Sequence, residues 1–257
     1  MTKLHNTQIQ YAFGIALTFF IIACSPTGTE QEGDLNPPAE GFNLEDSDSF
    51  AIFIADGVME AMGGRNNWDQ TRYIKWNFFG SRRHVWDRYS GDIIIEGLRD
   101  TFLAKLNLKS LEGTVNMKGI ELTKADSLDK YLQKSKEMWI NDSYWLIFPF
   151  KLKDSGVTLK YLKLDTTALG KQAHILQLTF NDVGVTPKNK YYAYVDTSSH
   201  LVSQWDYFPS FEDSVPRFNT PWTDYESYGK VLLSTGRGEK YQITEISASD
   251  TLSMYFK

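Results

Sequence analysis

Cysteine is almost absent from this chain: Cys24 is the only one. No internal disulfide can form, and no paired-cysteine metal or redox motif is available. Histidine is nearly as scarce. Beyond His5, only His84, His174 and His200 occur, and no two stand at metal-ligand spacing. No HExxH, GxSxG or Walker-type loop occurs, so no catalytic residue, metal site or cofactor is expected from motifs. There is no basic excess either. The formal net charge is −5, and without a basic stripe nucleic acid is an unpromising partner.

The N-terminus, by contrast, is strongly patterned. Lys3 precedes a short apolar run, Tyr11 to Ala23, too short for a permanent membrane span and flanked like a secretory signal. Ile21-Ile22-Ala23-Cys24 then resembles a bacterial lipobox. Residues 1–23 are therefore read as a lipoprotein signal peptide and Cys24 as the lipidated first residue of the mature chain. Two or three acyl chains, each buried CH2 contributing about 0.8 kcal/mol, would anchor it firmly to a membrane. Residues 24–48 are rich in Pro, Gly, Thr and acids and read as a disordered tether. Glu30, Glu32 and Asp34 fit either a surface-export signal or a solvated linker.

Residues 49–257 read as one domain. Asp48 is positioned to cap a helix carrying Phe50, Phe53, Ile54, Val58, Ala61 and Met62, ended by Gly63-Gly64. After Trp68 the apolar period shortens to two. Strands are expected around Ile74-Trp76-Phe78, His84 to Tyr89, Ile93 to Leu98, Phe102 to Leu108 and Val115-Met117. A helical insertion capped by Asp126 or Ser127 carries Leu128, Tyr131, Leu132, Ser135 and Trp139. The apolar tract Ser143 to Phe150 follows, where Pro149 limits helix. Strands resume at Val157–Leu164, Ala173–Phe180, Lys190–Asp196 and Leu201–Phe208, then Tyr225–Leu233 and Tyr241–Ser247. The expectation is an α+β fold: a large curved antiparallel sheet of about ten strands, with an N-terminal helix and a central helical insertion covering its concave face.

Polar candidates are few. In Arg82-Arg83-His84-Val85-Trp86-Asp87-Arg88, strand alternation puts His84, Trp86 and Arg88 on one face. That face is either a patch for a carboxylate or phosphate head group or ordinary cross-strand pairing and stacking. Asp87 and Glu96 offer a weak acid/base pairing. His174, in phase with Leu176 and Leu178, reads as a core histidine, and His200 falls in a turn. The seven tryptophans suit either sugar stacking or core packing.

Several segments together, YWLIFPFKLKDSG (144–156), FNDVGVTP (180–187), YYAYVD (191–196) and VSQWDYF (202–208), resemble a family of lipoproteins known mainly from Bacteroidota. That family in turn looks like the LolA/LolB-type lipoprotein carriers. The resemblance implies a half-open β-barrel with an apolar concave face under helices, holding a lipid, acyl chain or other apolar ligand. With the lipobox, the expectation is a lipid-anchored monomer in the cell envelope, at the outer membrane on its periplasmic or surface side, and the missing motifs point to no enzymatic activity. The expected lining is Ile74, Trp76, Phe78, Phe102, Leu106, Trp139, Trp145, Leu176, Leu178 and Trp205. The alternative is an interaction module for an envelope protein or a glycan, built on exposed aromatics.

Overall fold

A computed structural model describes residues 1, 35–181 and 186–257. The signal peptide, Cys24 and most of the tether lie outside the described residues, as do 182–185 within the FNDVGVTP motif. Residues 34–257 form one compact unit.

The tether ends earlier than Asp48. Asn36 Nδ2 donates to Asp56 Oδ1 at 2.7 Å, Ala39 N to Lys153 O at 2.9 Å, and Phe42 is buried in the core. Helix α1 (Ser49–Ala61) follows. Asp48 does occupy its N-cap, but the carboxylate caps nothing there. It accepts instead from Tyr161 N (2.9 Å) and Lys160 Nζ (3.1 Å). The buried face of α1 is Ala51, Ile54, Ala55, Val58 and Met59, so Phe50 and Phe53 do not belong to the core face. They are 46% and 71% exposed and stack on each other. The small alanines win the inner face because they admit close approach to the sheet. A six-residue helix, α2 (Arg65–Gln70), contributes buried Trp68.

The first sheet has seven antiparallel strands. β1 (Tyr73–Phe78), β2 (Arg82–Asp87), β3 (Asp92–Gly97), β4 (Phe102–Asn107), β5 (Gly113–Met117) and β6 (Ile120–Glu121) form a meander, with β14 (Ile243–Ala248) added beside β1. Helix α3 (Ala125–Ile147) comes next; its N-cap is Lys124, and Pro149 sits at the start of a 3-10 turn, Phe148–Lys151. The second sheet runs β11 (Phe218–Pro221), β10 (Val202–Phe208), β9 (Lys190–Asp196), β8 (Gln172–Phe180), β7 (Val157–Thr166). The stretch expected as one strand, Tyr225–Leu233, is a hairpin of β12 (Thr223–Tyr228) and β13 (Val231–Gly236), turned at Gly229 with φ +63°.

The architecture is α+β with large antiparallel sheets, but the single ten-strand sheet is corrected to three ladders of seven, five and two strands. No ladder closes into a ring among the described residues. Periodicity finds strands but not which strands share hydrogen bonds, and short strands such as β6 and β11 fall below its reach.

One long helix serves both larger sheets. The N-terminal half of α3 presents Leu128, Tyr131 and Leu132, with Trp139 just beyond the middle, to Ile93, Ile95, Ala104 and Leu106 of β3 and β4. Its C-terminal end and the 3-10 turn join α1, β1, β13 and the five-stranded sheet in the main core. On the outer face of the first sheet, Leu252 and Phe256 of a C-terminal 3-10 segment (Asp250–Phe256) cover Tyr73, Val85 and Ile94.

Candidate functional site

Between the C-terminal half of α3 and the five-stranded sheet lies a cavity of about 770 Å³. This falls in the range of about 300–1,000 Å³ usual for ligand cavities. The helix wall is Trp139, Ile140, Tyr144 and Trp145, and the sheet wall is Phe180, Tyr191, Trp205, Tyr207 and Phe218. Phe78 and Val157 reach it from β1 and β7. Glu137, Lys151 and Asp154 are the charged lining residues, and Lys151 is ion-paired with Asp154. The rings interlock: Trp145 meets Trp205 edge-on at 4.8 Å and stacks with Phe218 at 6.1 Å, and Tyr191 lies 5.2 Å from Trp205.

Polar atoms within this wall are left without partners. Tyr144 Oη and the indole nitrogens of Trp139 and Trp205 are buried with no hydrogen-bond partner among the described residues. Burial pushes the Tyr144 phenol well above its ordinary value, so it stays protonated at neutral pH. Such orphaned donors are costly in a closed core and are available to an acceptor if the wall opens by a rotamer.

Of the ten expected lining residues, Phe78, Trp139, Trp145 and Trp205 line the cavity. The other six do not. Ile74, Trp76, Leu176 and Leu178 are packed in the main core, and Phe102 and Leu106 lie under the N-terminal half of α3. Their side chains are packed against other side chains in these two cores. Sequence reasoning missed Tyr144, Tyr191, Tyr207, Phe180 and Phe218. The apolar tract Ser143–Phe150 and the YYAYVD strand carried the available signal.

His84, Trp86 and Arg88 do share the face that meets α2 and α3, yet they do not form an exposed patch. His84 is wholly buried, stacked on Trp76 at 4.6 Å, and its Nε2–H donates to Asp142 Oδ2 at 2.8 Å. Arg82 completes a bidentate grip on the same carboxylate (2.6 and 2.9 Å). Asp142 is 0% exposed. Burial raises its pKa, but the bonds from His84 and Arg82 outweigh that and hold it below the usual carboxylate range. Burial keeps His84 below its ordinary value, hence neutral. The triad fastens α3 to β2. Trp86 meets Trp139 edge-on at 4.8 Å. Arg88 lies over Trp68, Cζ 3.7 Å from the ring centre.

Asp87 and Glu96 are not brought together. Asp87 accepts from Arg72 and Glu96 from Arg83, which also binds Glu245 across the sheet. His174 is half-buried beside Tyr161, its Nδ1 3.4 Å from the phenol oxygen. His200 is in a turn with φ +57°. Among the described residues no cluster of His, Cys, Asp and Glu is arranged to hold a metal ion, and no helix is long and apolar enough to cross a membrane.

The sequence matches no protein-family model and no curated protein. Among solved structures it is similar to a DUF1329 family protein from Desulfovibrio piger, at 11% identity over 80% of this chain and 97% of the other, with a TM-score of 0.45. It is also similar to a putative outer membrane lipoprotein-sorting protein domain from Vibrio parahaemolyticus (8% identity, 70% and 82% covered, TM-score 0.32). A third likeness is to MucB (14% identity, 79% and 60% covered, TM-score 0.25). None of these likenesses is close enough to carry an activity or a ligand over to this chain.

Proposed function

We propose that this protein is a non-enzymatic lipoprotein of the cell envelope, anchored through Cys24, that holds an acyl chain or another apolar ligand between α3 and the five-stranded sheet. The observation that carries the reading is the cavity of about 770 Å³ with nine aromatic side chains in its wall. Apolar surface of that extent facing an unfilled volume is unfavourable unless something apolar occupies it. In this reading the sheets form a half-open barrel, α3 is its cover, and the protein works at the outer membrane in lipid or lipoprotein transfer.

The test uses residues 34–257, the compact unit, titrated with 9,10-dibromostearate and followed by tryptophan fluorescence. Bromine quenches nearby indoles, and Trp139, Trp145 and Trp205 line the cavity. Saturable quenching that unbrominated stearate reverses supports the reading. Absence of quenching, with no lipid extractable from the purified protein, overturns it.

A second reading, an interaction module for a protein or glycan, has one observation in its favour. The exposed Phe50–Phe53 pair stands outside the core, with Phe50 edge-on to Tyr161 at 4.8 Å.

A further inference from the structure

A second, smaller cavity of about 210 Å³ lies beside α2, and its wall mixes apolar side chains such as Met59, Trp86 and Leu152 with a cluster of charged ones. Arg65, Arg88, Lys151 and Lys153 line it against two carboxylates, Asp69 and Asp154. Three of the four cations have a carboxylate partner. Arg65 binds Asp69 at 2.8 Å, Lys153 binds Asp56 at 2.6 Å, and Lys151 binds Asp154. Arg88 does not: among the described residues no carboxylate is within ion-pair distance of it.

The side chain is nonetheless held in one place. Arg88 Nη1 donates to the main-chain oxygens of Trp68 and Thr71, the latter at 2.6 Å. Its guanidinium lies over the Trp68 ring, Cζ 3.7 Å from the centre, and Trp68 in turn stacks on Phe150 at 4.0 Å with 9° between the rings. Nε is buried without a partner. That leaves Nη2, which makes no bond among the described residues, as a pre-placed donor without a carboxylate at ion-pair distance, suited to an oxygen of a carboxylate or phosphate. Asp69 in the same wall offsets the Arg88 charge only at a distance, so the partly desolvated cation remains costly and an anion in the cavity lowers that cost. Burial already draws the Arg88 pKa down to about 10.

We propose that this cavity is an oxyanion site, with Arg88 as its principal ligand and a carboxylate or phosphoryl group as its occupant. Arg237, the other buried arginine without a carboxylate, shows what a purely structural role looks like here. Its two terminal nitrogens are shared among Ser234 Oγ and the carbonyls of Ser234, Gly236 and Trp145. It lines neither cavity. Arg88 shares the carbonyl bonds and the unpartnered Nε, but its Nη2 makes no bond among the described residues and it lines a cavity. Lys151 and Asp154 line both cavities. The oxyanion can therefore be a free ion or, resting on the acyl-binding reading, the head of an amphiphile whose chain fills the larger cavity.

Calorimetric titration of residues 34–257 with inorganic phosphate, decanoate and decanol separates these cases. The expected result is that phosphate binds and competes with decanoate. Arg88→Gln then weakens both by about tenfold or more, Arg88→Lys weakens them less, and decanol binding stays unchanged. Decanoate and decanol binding alike, with no phosphate binding, overturns the oxyanion site while leaving the acyl cavity standing. Phosphate binding without either chain compound keeps this site, with a free ion as its occupant, and overturns the acyl cavity. If Arg88→Gln fails to fold, the competition in the unaltered protein decides: phosphate that does not displace decanoate and does not bind alone overturns the proposal.

Discussion

Arg237 Nη2 donates to the main-chain oxygen of Trp145 at 2.5 Å, joining the end of β13 to the last turn of α3. The last four carbonyls of a helix have no partner within it, and a cation there also opposes the helix dipole. Arg237 is only 3% exposed, its guanidinium 3.6 Å above the Trp222 ring.

Replacing Arg237 by methionine removes the buried donors to Ser234 Oγ and to the carbonyls of Trp145, Ser234 and Gly236. The expected loss is about 3 kcal/mol in urea denaturation, with Arg237→Lys recovering only part of it. An unchanged unfolding midpoint would show that water or another donor replaces the guanidinium.

Stability should fall on the acid side in two stages. His84 has a folded pKa below its ordinary 6.5, so the unfolded chain takes up its proton first as pH falls. Stability is therefore complete above 6.5 and declines below it. Asp142, held below 3.8, adds a second loss as pH drops through its folded value. His84→Gln, which keeps a donor for Asp142 but does not titrate, should remove the first stage in thermal melts between about pH 7 and pH 5.

Charge placed in the two halves of the tryptophan set should have opposite consequences. Trp145→Glu, at a half-buried cavity wall, is expected to abolish dibromostearate quenching while the far-UV circular dichroism is kept. Trp76→Glu, at a residue with 0% exposure in the main core, should prevent folding.

Gly63→Ala should destabilise by about 1–3 kcal/mol in denaturant titration. The residue sits at φ +110°, and an added Cβ would collide with the Lys230 carbonyl oxygen. That tight approach lets Leu232 N reach Met62 O at 2.9 Å and locks the end of α1 to β13.

At the N-terminus, metabolic labelling with a radioactive or alkyne-bearing palmitate should mark the protein in a bacterial host, and Cys24→Ser should remove the label. Retained label in that variant would refute lipidation at Cys24.

These expectations show where the sequence was informative. Alternation placed Ile74, Trp76 and Phe78 on one face of β1, and all three are in the main core. It could not say how deep each lies, because depth depends on what the facing element leaves open. That is why Trp145 lines a cavity and Trp76 does not. On α1, bulk misled: Phe50 and Phe53 read as core because they are large, but close helix–sheet approach selected Ala51 and Ala55. Asp142 and Arg237 gave no signal at all. A lone charge on a helix or at a strand end is solvated by default, and its partners Arg82, His84 and Trp145 are distant in sequence.

The bonds at Asp142 and at Trp145 O fall three residues apart on α3, the first to β2 and the second to the end of β13. These two anchors tie the C-terminal half of α3, where it forms the cavity wall, to both β2 and the end of β13. The opposite wall is less firmly held at its edge. β11 is the outermost strand there, four residues long and hydrogen-bonded on one side to β10, with Phe218 standing exposed at the cavity wall against Trp145. The part of the cavity wall held by the fewest main-chain hydrogen bonds is therefore this short edge ladder, not the helix.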